Sequence, residues 1–257
     1  MSELLRFQDW SDPVPAAERE VVSRLPDEDQ DRPPLLFVPG LGHGAWAFAE
    51  HWLAHAAGRG FPAHAVSPRP GGDLRAQAHD VVQVAASLPR QTVLIGHGTG
   101  GRVVARALGR YPARAAVLVA PVLDGWAALG AALRSNPAGT VPALFGGRLK
   151  LSGRQLFGPD LPAEEAAAYL ERIGARPRAE LFARDDLPAP VGGPPTLVVG
   201  SPDDRVVPRP VLDRAAARYG GAPLLFPGMG HYLMLEPTWA EPIDAILDWL
   251  DKELPRA

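Results

Sequence analysis

The sequence predicts an α/β protein, with a mostly parallel central sheet of about eight strands, flanking helices and a helical insertion. Three observations predict it. Short apolar runs ending in glycine or a polar residue alternate with helical patterns from residue 34 to 121, as parallel strands joined by crossover helices do. The alternation stops over 122–190, where short helical runs, prolines and glycines replace it. It resumes between 195 and 252. The expected organisation is a core of 1–121 and 191–257, with 122–190 as a helical cap inserted into it.

Each element has its own warrant. Residues 4–10 and 18–25 read as short strands around a proline-rich turn, and 27–34 (DEDQDRPP) as a solvated loop. PLLFVPG (34–40) is an apolar run closed by glycine, the pattern of a buried strand. Residues 45–60 space Trp46, Phe48, Trp52 and Leu53 as a helix ending in glycine. FPAHAVS (61–67) reads as strand, and 73–88 as a helix N-capped by Asp73. TVLIGH (92–97) is a strand, 101–112 a helix closed by Gly109 and Pro112, and AAVLVAP (115–121) a strand. Inside 122–190 no convincing strand is seen, and 162–174 is the clearest helix. Strands at 195–200 and 222–228 and helices at 209–219 and 237–252 complete the core.

The bulk numbers narrow the function classes. With 257 residues, 46% hydrophobic and 21% charged, a packed core is expected and disorder is not. The net charge of −3 gives no footprint for nucleic acid or an anionic membrane. The lack of cysteine removes disulfides, thiolate metal sites and cysteine nucleophiles. No two histidines have a convincing metal spacing with a carboxylate, so neither metal nor cofactor is expected. MSELLRFQDWSD is too acidic and polar for a signal peptide, and a cytoplasmic location is the default. Abundant alanine and arginine match a GC-rich bacterial coding sequence. Oligomeric state is not readable.

The stretch TVLIGHGTGG (92–101) fits two motifs. Gly96, Gly98 and Gly101 match the dinucleotide fingerprint G-x-G-x-x-G, and Asp124 follows at about the spacing of its ribose-binding acid. Yet at least two parallel strands precede it, whereas the fingerprint usually sits on the first. Gly96 to Gly100 also match G-x-S-x-G, the nucleophile elbow, with glycine in place of serine. Three further strand ends carry polar groups: FVPGLGHGAW (37–46), VVGSPDDRVVP (198–208) and FPGMGHYLMLEP (226–237). In a parallel sheet these lie along one edge, where ligands bind.

In this order the motifs resemble the α/β-hydrolase fold family, specifically its cap-bearing members, over about residues 34–253. SPRPGGD (67–73) is similar to the family's Arg-Gly-x-Gly loop, and EPTWAEPIDAILDWL to its closing segment. The resemblance implies His231 as catalytic base, Asp204 as its orienting acid by the Asp-x-x-x-Pro spacing to Pro208, and Gly98 at the nucleophile position. It implies backbone N–H groups of Leu41 and Thr99 as the oxyanion hole. His43 could touch substrate; Trp126, Phe145 and Phe157 of the insertion divide between cap core and pocket wall. The chemistry is coherent: imidazole takes a hydroxyl proton, a carboxylate fixes its tautomer, and N–H donors hold the oxyanion. Everything but the hydroxyl remains.

The expected function is that of a hydrolase-like protein for a small to medium apolar ester or related acyl substrate. Several alternatives stay open: a non-catalytic ligand-binding pseudoenzyme, a hydrolase whose serine at 98 was exchanged for glycine, or a cofactor-free His–Asp lyase or oxygenase.

Overall fold

The computed structural model describes residues 14–15, 17–40, 42–67, 69, 73–145, 147–173, 176–177 and 187–254. The strands are β1 (Glu20–Arg24), β2 (Leu35–Val38), β3 (Ala63–Ser67), β4 (Val93–His97), β5 (Ala115–Val119), β6 (Arg148–Leu149), β7 (Arg176–Pro177), β8 (Thr196–Gly200) and β9 (Leu224–Leu225). The helices are α1 (Trp46–Ala49), α2 (Trp52–Gly58), α3 (Leu74–Ser87), α4 (Thr99–Ala107), α5 (Gly125–Ser135), α6 (Pro137–Leu144), α7 (Gly153–Leu156), α8 (Ala163–Ile173), α9 (Arg209–Arg218) and α10 (Ala240–Glu253).

Seven strands form the main sheet in the order β1-β3-β2-β4-β5-β8-β9. Only β1 runs antiparallel, against β3, and the other pairings are parallel. LLFV, VLIGH and AAVLV are buried at every residue, because helices cover both faces of a parallel sheet. β1 is mostly exposed, as an edge strand is. About eight strands were expected, and the one at 4–10 lies outside the described residues. The strand expected over 222–228 shortens to Leu224–Leu225. Pro223 and Pro227 bracket it and cannot donate to a ladder.

The helix expected over 45–60 is two, α1 and α2. His51 leaves helical geometry (φ −136°) and stacks on Trp239 at 4.7 Å. Asp73 caps α3, accepting from Ala76 N at 2.7 Å. Arg69, in the loop before α3, pairs with the fully buried Asp80 of that helix at 2.8 Å. Phe37, Phe48 and Trp52 form an aromatic core beside β2, with centroids 5.0 to 6.1 Å apart.

Residues 122–190 contribute α5 to α8 and, unexpectedly, the antiparallel pair β6–β7. Two residues per strand are too few to show a period in sequence. Polar side chains knit this segment. Asn136 Nδ2 donates to Gln155 Oε1 at 2.8 Å, and the buried Gln155 donates to Ser135 Oγ at 2.8 Å. No described helix is long and apolar enough to cross a membrane.

Candidate active site

The carboxyl ends of β2, β4, β5 and β8 share one sheet edge because their pairings are parallel. The loops that follow them meet there. Gly98 turns β4 into α4 with φ 55° and ψ −121°, a conformation that a side chain strains and glycine takes freely. Its own backbone is committed: the N–H donates to Val119 O at 3.0 Å and the carbonyl accepts from Val122 N at 2.9 Å. Thr99 is the first helical residue, so its N–H belongs to the set that a helix leaves without intrahelical partners. Leu41 lies outside the described residues.

His231 and Asp204 come together. His231 Nδ1 and Asp204 Oδ2 are 2.8 Å apart, and both residues are buried. Asp204 Oδ1 accepts from Val206 N and Val207 N at 2.7 and 3.0 Å. With Oδ1 fixed by these two N–H groups, Oδ2 accepts from His231 Nδ1–H, which leaves Nε2 facing Gly98. A Cβ built on Gly98 would lie 3.2 Å from His231 Nε2. Asp203 turns elsewhere, accepting from Gly228 N at 2.8 Å.

A second set of polar groups wraps the site. His97 Nε2 donates to His231 O at 2.9 Å, since a carbonyl can only accept. Gly40 N donates to His43 Nε2 at 3.1 Å, which places the proton of neutral His43 on Nδ1, facing the Tyr232 hydroxyl at 3.2 Å. His97 Nδ1 lies 3.2 Å from His43 Nε2, and with the protons so placed both nitrogens are acceptors and no hydrogen bond joins them. The loops at 40–43, 97–98 and 231–232 are thereby tied through two imidazoles and a phenol. Tyr232 belongs to no motif in the sequence, and its signal there is its place beside His231.

Burial, joined by the nearby His231 and His43 imidazoles, holds His97 well below its ordinary pKa of 6.5. The unfolded chain therefore takes up a proton as pH falls through 6.5 while folded His97 does not. Stability from this neutral imidazole is complete above that pH and declines below it. Tm is expected to fall on acidification from about pH 6.5, less steeply in a folded His97→Gln variant; an unchanged slope would contradict this. His51, His64 and His79 are lowered by burial in the same direction, so the slope should not vanish.

The cavity at Gly98 and His231 has a volume of about 50 Å³ and is lined by His43, Thr99 and Tyr232 on the core side. Leu129, Ala132, Leu149, Leu151 and Leu156, from the segment between β5 and β8, line its other side. By the space one water requires, it has room for a few waters. Trp126 and Phe145, expected as possible substrate contacts, do not line it and are 62% and 86% exposed. α5 presents Ala128, Leu129 and Ala132 to the cavity, and Trp126 sits to one side of that stripe. Phe145 is carried past the end of α6 as its C-cap. Phe157 is buried, lies 5.8 Å from Tyr232 between ring centroids, and borders a separate groove of about 1030 Å³. That groove is larger but includes neither His231, Asp204 nor Gly98 in its lining, so size does not make it the reactive site.

Residues 35–248 match the model of the Alpha/beta hydrolase family. Among solved structures, the chain is similar to an esterase from Rhodococcus sp. ECU1013, with 21% identity, TM-score 0.66, and 91% and 95% of the two chains covered. It is similar to a monoacylglycerol lipase from Paleococcus ferrophilus, with 17% identity, TM-score 0.67, and 92% and 100% covered. It is also similar to a bromoperoxidase from Bacillus anthracis, with 15% identity, TM-score 0.66, and 91% and 94% covered. No curated protein matches the sequence significantly.

Proposed function

The chain belongs to the alpha/beta hydrolase family, and from that premise we propose that it hydrolyses a small apolar ester or related acyl compound without a covalent intermediate. The observation that carries this reading is the direction of His231. Its Nδ1 is held by Asp204 at 2.8 Å, and its Nε2 lies 3.2 Å from where a side chain on residue 98 would begin. A base aimed at that space can take a proton from water instead of serine. The hydroxide adds to the substrate carbonyl carbon, and the oxyanion is met by the Thr99 N–H. When the tetrahedral intermediate collapses, the carbon–oxygen bond to the alcohol breaks and His231 returns the proton to it. Residues 122–190 act as the cap, and their apolar lining selects small substrates.

The esterase and the lipase among the similar structures support the acyl substrate class. A base contributes about 10²- to 10⁴-fold, so His231→Ala should lower hydrolysis of short aryl esters by at least about 10²-fold. Turnover that survives this change in a folded variant would refute the reading.

The small cavity and the unstrained elbow favour a second reading, a ligand-binding protein that turns nothing over. It expects no His231-dependent hydrolysis in the unmodified protein, with binding of a small apolar ligand still measurable by thermal shift.

A further inference from the structure

We propose that Glu236 is the positioning residue for His231, clamping the histidine loop to residues 156–158 of the insertion; this rests on the reading of His231 as the base. Glu236 is 2% exposed, and its Oε1 accepts from Gly230 N at 2.8 Å and Gly158 N at 2.7 Å. Gly230 immediately precedes His231. The same insertion segment holds the histidine directly, because Leu156 O accepts from His231 N at 2.8 Å and Tyr232 N at 3.2 Å. His97 holds the His231 carbonyl. The Gly230 N–H, the His231 N–H and carbonyl, and the Tyr232 N–H are thus all held, and Leu156 O, which takes two of these bonds, lies in residues 122–190.

The fit leaves little freedom to slide. A Cβ on Gly230 would sit 2.5 Å from the Phe157 backbone, so the two segments lie in direct backbone contact. A buried carboxylate is costly unless it is paired or hydrogen-bonded. Among the described residues Glu236 has no salt bridge with a cation, and burial pushes its pKa up against the opposing pull of the Gly158 and Gly230 amides. One oxygen satisfying two amides on two separate loops fixes their spacing, as a charge-assisted acceptor does more firmly than a neutral one. Glu236 does not line the cavity; it acts through Gly230.

The test uses the full chain and a readout that needs no turnover. The Nδ1 proton between His231 and Asp204 gives a far-downfield proton NMR resonance, assigned by its loss in Asp204→Asn. Glu236→Gln, which keeps an acceptor oxygen, should retain it. Glu236→Ala should lose or broaden it while the remaining spectrum stays folded. In parallel, kcat for His231-dependent hydrolysis should fall about 10- to 10²-fold in Glu236→Ala, the scale set by misplacing a reacting group. KM should move little, and Gln should restore most of kcat. Glu236→Met, which keeps volume without an acceptor, serves if the alanine variant does not fold. An unchanged resonance and kcat in either folded variant overturns the proposal, and so does unfolding of both, which would make Glu236 a requirement of the fold at large. Absence of the resonance from the unmodified protein removes the His231–Asp204 pairing and the proposal with it. The expected resonance pattern without any hydrolysis supports the clamp and refutes only the hydrolytic reading.

Discussion

Replacing Gly98 with serine should raise kcat/KM for short aryl esters by at least about 10²-fold, and a second change, His231→Ala, should abolish the gain. The new Oγ would stand between Nε2 and the substrate carbonyl, converting one difficult step into two easier ones. The same change should cost about 1–3 kcal/mol of stability, because φ 55° and ψ −121° are strained for any residue with a Cβ. At 3.2 Å the new Cβ is tighter against Nε2 than ordinary contact, so the imidazole must give way by a fraction of an ångström. Ester assays and urea titrations check both halves. A folded but inert serine variant would mean that the imidazole cannot give way, or that position 98 is not where the nucleophile belongs.

Gly100→Ala should have the larger structural effect, with a loss of more than about 4 kcal/mol. Its Cβ would lie 2.3 Å from Val38 O and 2.5 Å from Pro39 O. Both are backbone atoms of the strand end that leads to the oxyanion loop, and no side chain can swing aside. Such a loss approaches the whole stability of an ordinary domain, about 5–15 kcal/mol. The expected result is little soluble protein, or a urea midpoint far below the parent. Gly130→Ala is the control, since nothing lies within 4 Å of its new Cβ. In the interior of α5 it should stabilise by up to about 1 kcal/mol. A parent-like midpoint for Gly100→Ala would show that the β2 and β4 loops are packed more loosely than described.

The sheet was legible because parallel strands buried on both faces must be apolar throughout, and LLFV, VLIGH and AAVLV are. The meeting of His231 with Asp204 was legible for a related reason: each follows a strand end, and parallel strands bring those ends to one edge. What local pattern does not encode is which groups then touch across loops. His43 reaches Tyr232 over 189 residues and Glu236 reaches Gly158 over 78, and no spacing announces either. Trp126 and Phe145 were plausible pocket walls by residue type alone; only the facing of α5 and the end of α6 place them outward. The break at His51 was hidden because both halves have helical spacing. Leu41 and the strand expected at 4–10 lie outside the described residues.

The hold of the Leu156 carbonyl on His231 and Tyr232 bears on how this protein could be redesigned. Insertions of this kind invite treatment as cassettes, exchanged whole to change what a scaffold accepts. Here the boundary of the cassette runs through the reactive centre. Residues 156–158 belong to the chassis, as Val122 does through its hold on the Gly98 carbonyl, and a graft that discards them would take the seat of the histidine with it.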